Sequence, residues 1–265
     1  MLKFEEYSQK YPEVRMERRH GILQIITHTN GDSYQWNDRP PVYPGNYYNL
    51  LEAFNNIGSD VENKVIIWTG AGKAFSGPQA KGTPPRRTSR GWERSNWKGR
   101  HLLMGLLDID VPIICAVNGP ALRHAEMPLI CDIVLAAEEA TFQDSSHILR
   151  GGVPGDGVHI VYPLLMGLNR ARYFLLTSQT LSAQQALEFG LVSEVLPREK
   201  LLPRAWELAE QLAQKPPLVL RHTRTLLVHS LRRQMFELLG YGLALEGLAN
   251  MDDRSEGILE RDFPK

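Results

Sequence analysis

The stretch "KVIIWTG", Lys64 to Gly70, is a short run of branched and aromatic residues that ends at a glycine. An uninterrupted apolar run of this length predicts a strand buried on both faces of a sheet. The runs at 111–120, "VPIICAVNGP", and at 133–136 predict two further buried strands. Helical spacing of apolar residues occupies "YYNLLEAFNNIG" (47–58) and "WKGRHLLMGLLDI" (97–109). Strands that alternate with helices predict an α/β fold.

The two ends of the chain extend this pattern differently. Near the start, "EVRMERR" and "GILQIITHT" predict a pair of strands joined at His20–Gly21. The last third is mostly helical, with Ser182 predicted to cap one helix and Gly190 to end it. We therefore divide the chain into an α/β core at 1–178 and a helical C-terminal region at 179–265.

The segment from Lys81 to Gly99, "KGTPPRRTSRGWERSNWKG", interrupts the alternation. It is rich in Gly, Pro, Ser and Arg and shows no periodicity, which predicts an exposed, mobile loop. A lid over a site, or a contact for an anionic group, is the functional alternative.

Composition excludes several classes of protein. The 30 basic and 30 acidic residues give a formal net charge of zero, without the basic excess expected of a nucleic-acid or membrane-surface binder. Cys115 and Cys131 both lie in apolar runs, which predicts buried thiols in a reducing compartment. The charged N-terminus has no apolar signal segment, and no run reaches the length of a membrane span. The expected location is the cytoplasm.

The stretch "FQDSSHILRGGVPGDG" (142–157) places His147 and Asp156 on two sides of a glycine-rich turn. One interpretation is a base and the carboxylate that orients it, since the glycines let the backbone fold back on itself. The other interpretation is a polar loop histidine, with Asp156 capping a following helix. The residues alone leave both open.

The order of the segments resembles the crotonase (enoyl-CoA hydratase/isomerase) superfamily over nearly the whole chain. The resemblance is carried by "KVIIWTGAGKAFSG", "VPIICAVNGPAL", "CDIVLAAEEATF", "VPGDG" and "LLTSQTLSAQQALEFGLVSEVLP", followed by a helical tail. It implies an α/β spiral core of repeated ββα turns at 1–178. It also implies that 179–265 is a C-terminal helical trimerisation region, in a homotrimer or a dimer of trimers.

The chain departs from the hydratase pattern at the expected thioester site. Where hydratases carry small residues after "NG-x-A-L", this sequence has Arg123 and His124, whose side chains would obstruct a thioester. His147 stands where hydratases have a second glutamate. Glu126 aligns with the first hydratase glutamate, but Met127–Pro128 follows it, and a structural role is expected.

These departures resemble the β-diketone hydrolase branch typified by 6-oxocamphor hydrolase, as do "EYSQKY", "TFQD", "NRARYFLLT" and "LLPRAWELA". The resemblance implies that His147 and Asp156 form the catalytic pair. It implies a second catalytic histidine at His124, a substrate-binding tryptophan at Trp36, and a catalytic glutamate at Glu246 on the C-terminal helix. The alternatives are core packing for Trp36, a turn position for His124 and an intersubunit ion pair for Glu246.

A β-diketone supplies its own electron sink, because its second carbonyl delocalises the departing carbanion. The resemblance therefore implies hydrolysis by a retro-Claisen step with no cofactor and no metal. Histidine is the natural base near neutral pH, and Asp156 is expected to hold the other ring N–H of His147. His124 and Trp36 are expected to donate N–H groups to the substrate carbonyls. The expected partner is a small diketone, with neither nucleic acid nor membrane.

Two other functions stay open from the sequence. One is an acyl-CoA hydratase or isomerase, which Glu126 favours and the missing glycine run and second glutamate disfavour. The other is a non-catalytic crotonase-fold scaffold, which the presence of all five site residues disfavours.

Overall fold

The computed structural model describes residues 2–36, 46–77 and 88–251. Its main sheet has six strands in the order β1-β2-β3-β4-β5-β8, and two short strands, β6 and β7, form a second sheet. The strands are β1 (Val14–Arg19), β2 (Ile22–Thr27), β3 (Val65–Gly70), β4 (Ile113–Val117), β5 (Ile133–Ala137), β6 (Thr141–Phe142), β7 (Leu181–Ser182) and β8 (Glu194–Leu196).

Strand β3 lies at the centre of the main sheet, as its sequence predicts. Every residue of β3 is buried, and it pairs in parallel with β2 and β4, so that Trp68 lies between Ile25 and Cys115. The hairpin of β1 and β2 is antiparallel and turns at His20–Gly21, where both residues have positive φ values of 53° and 82°. That left-handed geometry matches the twist of a tight hairpin.

The helices cover both faces of the sheet. They are α1 (Phe4–Tyr7), α2 (Asn46–Ser59), α3 (Ser89–Asp108), α4 (Glu126–Leu129), α5 (Val158–Met166), α6 (Leu168–Thr177), α7 (Ala183–Glu188), α8 (Arg198–Ala213) and α9 (Pro217–Met251), with a 3₁₀ turn at Ile148–Arg150. Helix α8 packs against one face through Leu201, Ala205 and Ala209. Helices α2 and α3 belong to the larger core on the other face.

The predicted α/β fold is confirmed, and so are the local signals for α7. The Ser182 hydroxyl accepts from the Gln185 N–H at 3.2 Å, and Gly190 follows the helix at a φ of 78°. Strand β8 lies C-terminal to residue 178 yet pairs with β5, so the C-terminal region completes the main sheet. The division of the chain at 178 stays a prediction.

The loop predicted from Lys81 to Gly99 is wrong in its second half. Helix α3 begins at Ser89, because the Thr88 hydroxyl accepts from the Gly91 N–H and caps the first turn. The indole N–H of Trp92 then donates to the Leu243 carbonyl on α9 at 2.9 Å, a tertiary contact that the local composition does not encode. The rest of the predicted loop, 81–87, lies outside the described residues.

Both cysteines are buried free thiols, as predicted. Within the described part of the chain, no helix has the length and apolar character needed to cross a membrane.

Candidate active site

The site is built around His147, which lies just before the 3₁₀ turn and is 3% exposed. Its Nδ1 atom lies 2.7 Å from Oδ1 and 2.9 Å from Oδ2 of Asp144. Asp144 is also buried, two residues after strand β6. A carboxylate at this distance holds the proton on Nδ1 and fixes the orientation of the ring. The prediction that Asp156 orients the ring is therefore corrected: Asp144 does so.

Asp156 faces the other ring nitrogen of His147. The glycine-rich turn brings its Oδ2 atom to 3.5 Å from His147 Nε2. Gly151 and Gly157 have φ values of 68° and 113°, which a residue with a Cβ adopts only under strain, so the turn depends on them. Gly157, and not Asp156, caps helix α5, and no side chain caps it. The capping interpretation of Asp156 is thus excluded.

Glu246 reaches the same nitrogen from helix α9. Its Oε1 atom lies 3.7 Å from His147 Nε2, and the residue is 9% exposed. Two glycines bring α9 this close to the turn: a Cβ on Gly155 would lie 2.2 Å from the Gly242 carbonyl oxygen. Glu246 therefore reaches the site because the backbones of α9 and the turn lie in close contact at Gly242 and Gly155.

We expect Gly242→Ala to disrupt the site from a distance. The added Cβ would lie 2.2 Å from Cε1 of His159 and 2.5 Å from the Gly155 carbonyl oxygen, so α9 must move outward. We expect a loss of about 1–3 kcal/mol in the free energy of unfolding, typical of overpacking, with a large fall in kcat as Glu246 withdraws. Thermal denaturation and steady-state kinetics measure the two effects.

Gly240→Ala is the matched control, two residues away on the same helix. The nearest atom to its Cβ would be Cδ of Arg100 at 3.9 Å, an ordinary contact. Because alanine favours helix over glycine by about 1 kcal/mol, this variant should be as stable as the parent or more stable, with unchanged kcat. Equal behaviour of the two variants would contradict the role given to the close approach.

His124 forms the second centre of the site. It adopts a φ of 51°, unusual for a residue with a Cβ and common at functional sites. Its Nδ1 atom lies 2.9 Å from Glu126 Oε1 and 3.2 Å from Asp156 Oδ2. Its Nε2 atom lies 2.5 Å from the hydroxyl of Tyr47. Both ring nitrogens thus contact protein groups, contrary to the prediction that His124 aims an N–H at the substrate.

Trp36 lies beside His124, and its N–H, predicted to reach the substrate, is also used within the protein. The indole Nε1 donates to the Arg123 carbonyl at 3.1 Å, and the Ser76 hydroxyl donates to the same oxygen at 2.7 Å. These bonds hold the backbone just before the strained residue His124. The ring of Trp36 meets those of Tyr34 and His124 edge-on and that of Tyr47 at a tilt, with centroids 4.5–4.9 Å apart. It therefore forms part of an aromatic wall.

Burial and neighbouring charges shift the pKa values of four groups in the site, which are His147, Asp156, Glu126 and His124. Burial favours a neutral His147, but the charge of Asp156 and the bonds to Asp144 and Glu246 outweigh it and raise its pKa to about 11. Burial raises the pKa of Asp156 to about 7 and that of Glu126 to about 8. Burial lowers the pKa of His124 to about 4. At neutral pH His147 is therefore a cation and His124 is neutral.

Three members of this cluster were not assigned site roles from the sequence: Asp144, Tyr47 and Glu126. Asp144 stands three residues before His147 in "FQDSSH", a spacing that could have been recognised if the 3₁₀ turn had been foreseen. Tyr47 sits at the start of an amphipathic helix and gives no local signal. Glu126 is fully buried in α4 and bonded to His124, so it belongs to the site.

Three groups of the cluster lie close enough together to contact one cation. His124, Glu126 and Asp156 place one nitrogen and two carboxylate oxygens within 4.8 Å of one another. Such a nitrogen–oxygen set suits Zn²⁺ or a similar divalent ion. The His124 Nδ1 atom lies at hydrogen-bond distance from both carboxyl groups, 2.9 Å from Glu126 and 3.2 Å from Asp156.

The family model for enoyl-CoA hydratase/isomerase matches residues 45–259. The chain belongs to this family, the crotonase superfamily, and its α/β architecture is the crotonase fold. The resemblance identified from the sequence is therefore confirmed.

The proteins to which this chain is similar include both a β-diketone hydrolase and enoyl-CoA hydratases. A solved β-diketone hydrolase from the cyanobacterium Anabaena sp. PCC 7120, bound to (S)-3-oxocyclohexyl acetic acid, is 45% identical with a TM-score of 0.89, covering 94% of this chain and 98% of that one. A solved enoyl-CoA hydratase/isomerase from Mycobacterium paratuberculosis is 25% identical with a TM-score of 0.84, covering 95% and 99%. The 2,3-dehydroadipyl-CoA hydratase of Escherichia coli K12 is 37% identical over 56% of this chain and 58% of its own length.

Proposed function

We propose that this chain is a hydrolase that cleaves a carbon–carbon bond of β-diketones, cyclic ones included, by a retro-Claisen step. The observation that carries the proposal is the set of three carboxyl groups around His147. Asp144 contacts one ring nitrogen, and Asp156 and Glu246 face the other. Such an arrangement of titratable groups can take a proton from a water molecule and return it. The 45% identity to a β-diketone hydrolase across 94% of the chain supports the same choice.

Water is activated by the His147–Asp156 pair. His147 Nε2 lies 3.5 Å from Asp156 Oδ2 and 3.7 Å from Glu246 Oε1, so one water oxygen above the three atoms could contact all of them. Because His147 already carries its proton, the water proton passes to Asp156, whose pKa of about 7 suits a base at neutral pH. The His147 cation then stabilises the charge that forms on the attacked carbonyl.

This division of roles revises the expectation that neutral His147 is the base. The expectation used the ordinary pKa of a histidine, but the surrounding carboxylates raise the pKa of His147 to about 11. Since Asp156 and His147 interact strongly, the two titrate as a unit. The pair keeps its predicted function of activating water, with Asp156 as the group that accepts the proton.

The bond changes balance without a cofactor. The water oxygen bonds to the first carbonyl carbon, and the tetrahedral intermediate breaks its bond to the central carbon. That electron pair moves into the enolate of the second carbonyl, which takes up one proton. The products are a carboxylic acid and a ketone, joined in one molecule when the substrate is cyclic.

The test is a substrate panel with the purified full chain. We would incubate it with non-enolisable 2,2-dialkyl cyclic 1,3-diketones and with enoyl-CoA esters, following keto-acid formation and loss of enoyl absorbance. Hydrolysis of the diketones that is abolished by His147→Ala supports the proposal. Turnover of the CoA esters alone would overturn it, and inertness to both panels would favour a scaffold.

The second candidate is an acyl-CoA hydratase or isomerase, which the family and most curated relatives favour. Glu126 could serve that reaction, but it bonds to the ring of His124 at 2.9 Å. His124 and Arg123 occupy the place where the family has small residues that admit a thioester. We therefore rank this function second.

We further propose a homotrimer or a dimer of trimers in the cytoplasm. Long apolar side chains are exposed on helices α6 and α9, including Phe236 at 83%, and such patches mark contacts between chains. The others on α6 and α9 are Leu168, Tyr173, Leu176, Leu218, Val219, Leu226, Leu227, Leu238, Tyr241, Leu245 and Leu248. Light scattering should give three or six times the chain mass, and a monomer would refute the assembly.

A further inference from the structure

We propose that Ser76 is a positioning residue for hydrolysis, which holds His124 in its left-handed backbone conformation through the carbonyl of Arg123. The inference rests on the proposed function and adds a residue that supports the Asp156 side of the site. The Ser76 hydroxyl donates to the Arg123 carbonyl at 2.7 Å, and the indole N–H of Trp36 donates to the same oxygen at 3.1 Å.

Ser76 is itself held in place by its main chain. Its N–H donates to the Pro120 carbonyl at 3.2 Å, and its carbonyl accepts from the Leu122 N–H at 3.0 Å. Ser76 also forms a parallel bridge with Ala121, and the residue is buried. The hydroxyl therefore reaches Arg123 from a fixed support, and forming the bond costs little conformational entropy.

Two bonds to one carbonyl fix the peptide plane between Arg123 and His124. A carbonyl oxygen has two lone pairs, and two donors converge on this one. The chain is anchored on either side of the plane, since Leu122 donates to Ser76 and the Met127 N–H donates to the His124 carbonyl at 3.1 Å. A return of His124 from its φ of 51° to an ordinary negative value therefore requires the plane to turn, which takes the carbonyl away from both donors.

The left-handed conformation at His124 needs this support. Residues with a Cβ avoid it because the Cβ approaches a backbone oxygen, and the cost is similar in size to the net contribution of one or two hydrogen bonds. Among the described residues, the others with a Cβ and a positive φ lie at a hairpin, a tight turn and a helix end, and they are His20, Asn30 and Ser178. The loss of one of the two donors is therefore sufficient to shift the balance at His124.

The backbone conformation of His124 decides how Asp156 is oriented. Oδ2 of Asp156, the group proposed to accept the proton from water, lies 3.2 Å from His124 Nδ1 and 3.5 Å from His147 Nε2. Oδ1 of Asp156 is buried without a hydrogen-bond partner, so the contacts of Oδ2 orient the carboxyl group. A change of φ at His124 would move its ring and remove the shorter of these two contacts.

The first test is Ser76→Ala, which removes the hydroxyl with almost no change in volume. We expect kcat for diketone hydrolysis to fall by about 10- to 100-fold, as a small misplacement of a catalytic group does. KM should change little, because both ring nitrogens of His124 contact protein groups. An unchanged kcat, or a rise in KM alone, would overturn the proposal.

Thr69→Val is the matched control for lost stability. The Thr69 hydroxyl donates to the Ala116 carbonyl at 2.8 Å, so that it makes a buried bond of the same kind as that of Ser76. We expect the two variants to lose similar amounts in melting temperature, while Thr69→Val keeps full kcat. An equal fall of kcat in both variants would attribute the effect to stability and refute the positioning role.

A double variant tests whether Ser76 acts through His124. Glycine at position 124 removes the imidazole and adopts a positive φ without strain, so that the support from Ser76 is no longer needed. Adding Ser76→Ala to His124→Gly should therefore lower kcat little further. A further fall as large as the one that Ser76→Ala causes in the parent protein would show that Ser76 acts independently of His124, and would overturn the proposal.

Crystal structures of the parent protein and of Ser76→Ala test the geometric step without an assay. In the variant we expect a negative φ at His124, or a distance from its Nδ1 atom to Asp156 Oδ2 that is clearly longer than the 3.2 Å of the parent. If both values are unchanged, the proposal is refuted. This result does not depend on turnover, so it is distinct from a failure of the proposed function, in which the parent protein would hydrolyse none of the diketones.

Discussion

Replacing His147 with glutamine will lower kcat for diketone hydrolysis by about three orders of magnitude, in the upper range of acid–base contributions. Glutamine fills the space and can bond to Asp144, but it carries no charge. The negative charge that forms on the attacked carbonyl then has no cation to stabilise it. Asp156 and Glu246 also face each other without the positive charge of His147. His101→Gln, on the exposed face of α3, is the matched control and should keep full activity.

The same variant should change the dependence of stability on pH. The pKa of His147 is raised from 6.5 to about 11 by folding, so the native state holds the proton more tightly than the unfolded chain. Its contribution to stability is complete below about pH 6.5. It is lost as pH rises towards the folded value of about 11. The gap in melting temperature between parent and His147→Gln should be widest below neutral pH and narrow above it. A difference in melting temperature that grows as pH rises would contradict the assignment of His147 as a cation.

Asp144→Asn will also lower kcat by about 100-fold or more, although Asp144 lies behind the ring and need not touch the substrate. Asparagine removes the charge beside Nδ1 and admits a rotated ring or the wrong tautomer. Asp144 is thus a positioning residue. Asp108→Asn, in an exposed ion pair with Arg232, is the control and should leave kcat unchanged.

The pH profile of Asp144→Asn decides which form of His147 is active. Loss of the carboxylate lowers the pKa of His147, because a charge that favours the cation has gone. If the cation is the active form, the alkaline limb of the kcat profile moves to lower pH. Movement of the acidic limb instead would show that neutral His147 is the base and refute the assignment of Asp156.

Local pattern was sufficient for the framework of the fold. The run at Lys64 to Gly70 predicts the central strand because its residues are apolar on both faces. Ser182 and Gly190 predict the ends of α7, since capping depends on residues a few positions apart. The segment before Gly99 was misjudged because its helix is held by the contact between Trp92 and α9, which composition does not express.

The sequence by itself determined the family, the central strands and the chemical types that meet in the site, including His147, Asp156, His124 and Glu246. Only the tertiary structure decided which of them touch. It placed Asp144 on Nδ1 of His147, joined His124 to Tyr47, and brought Glu246 in from α9. The physical reason is that contacts between distant segments depend on how closely backbones approach, as at Gly155 and Gly242. Proton positions in turn depend on burial and charge, which exist only once the chain has folded.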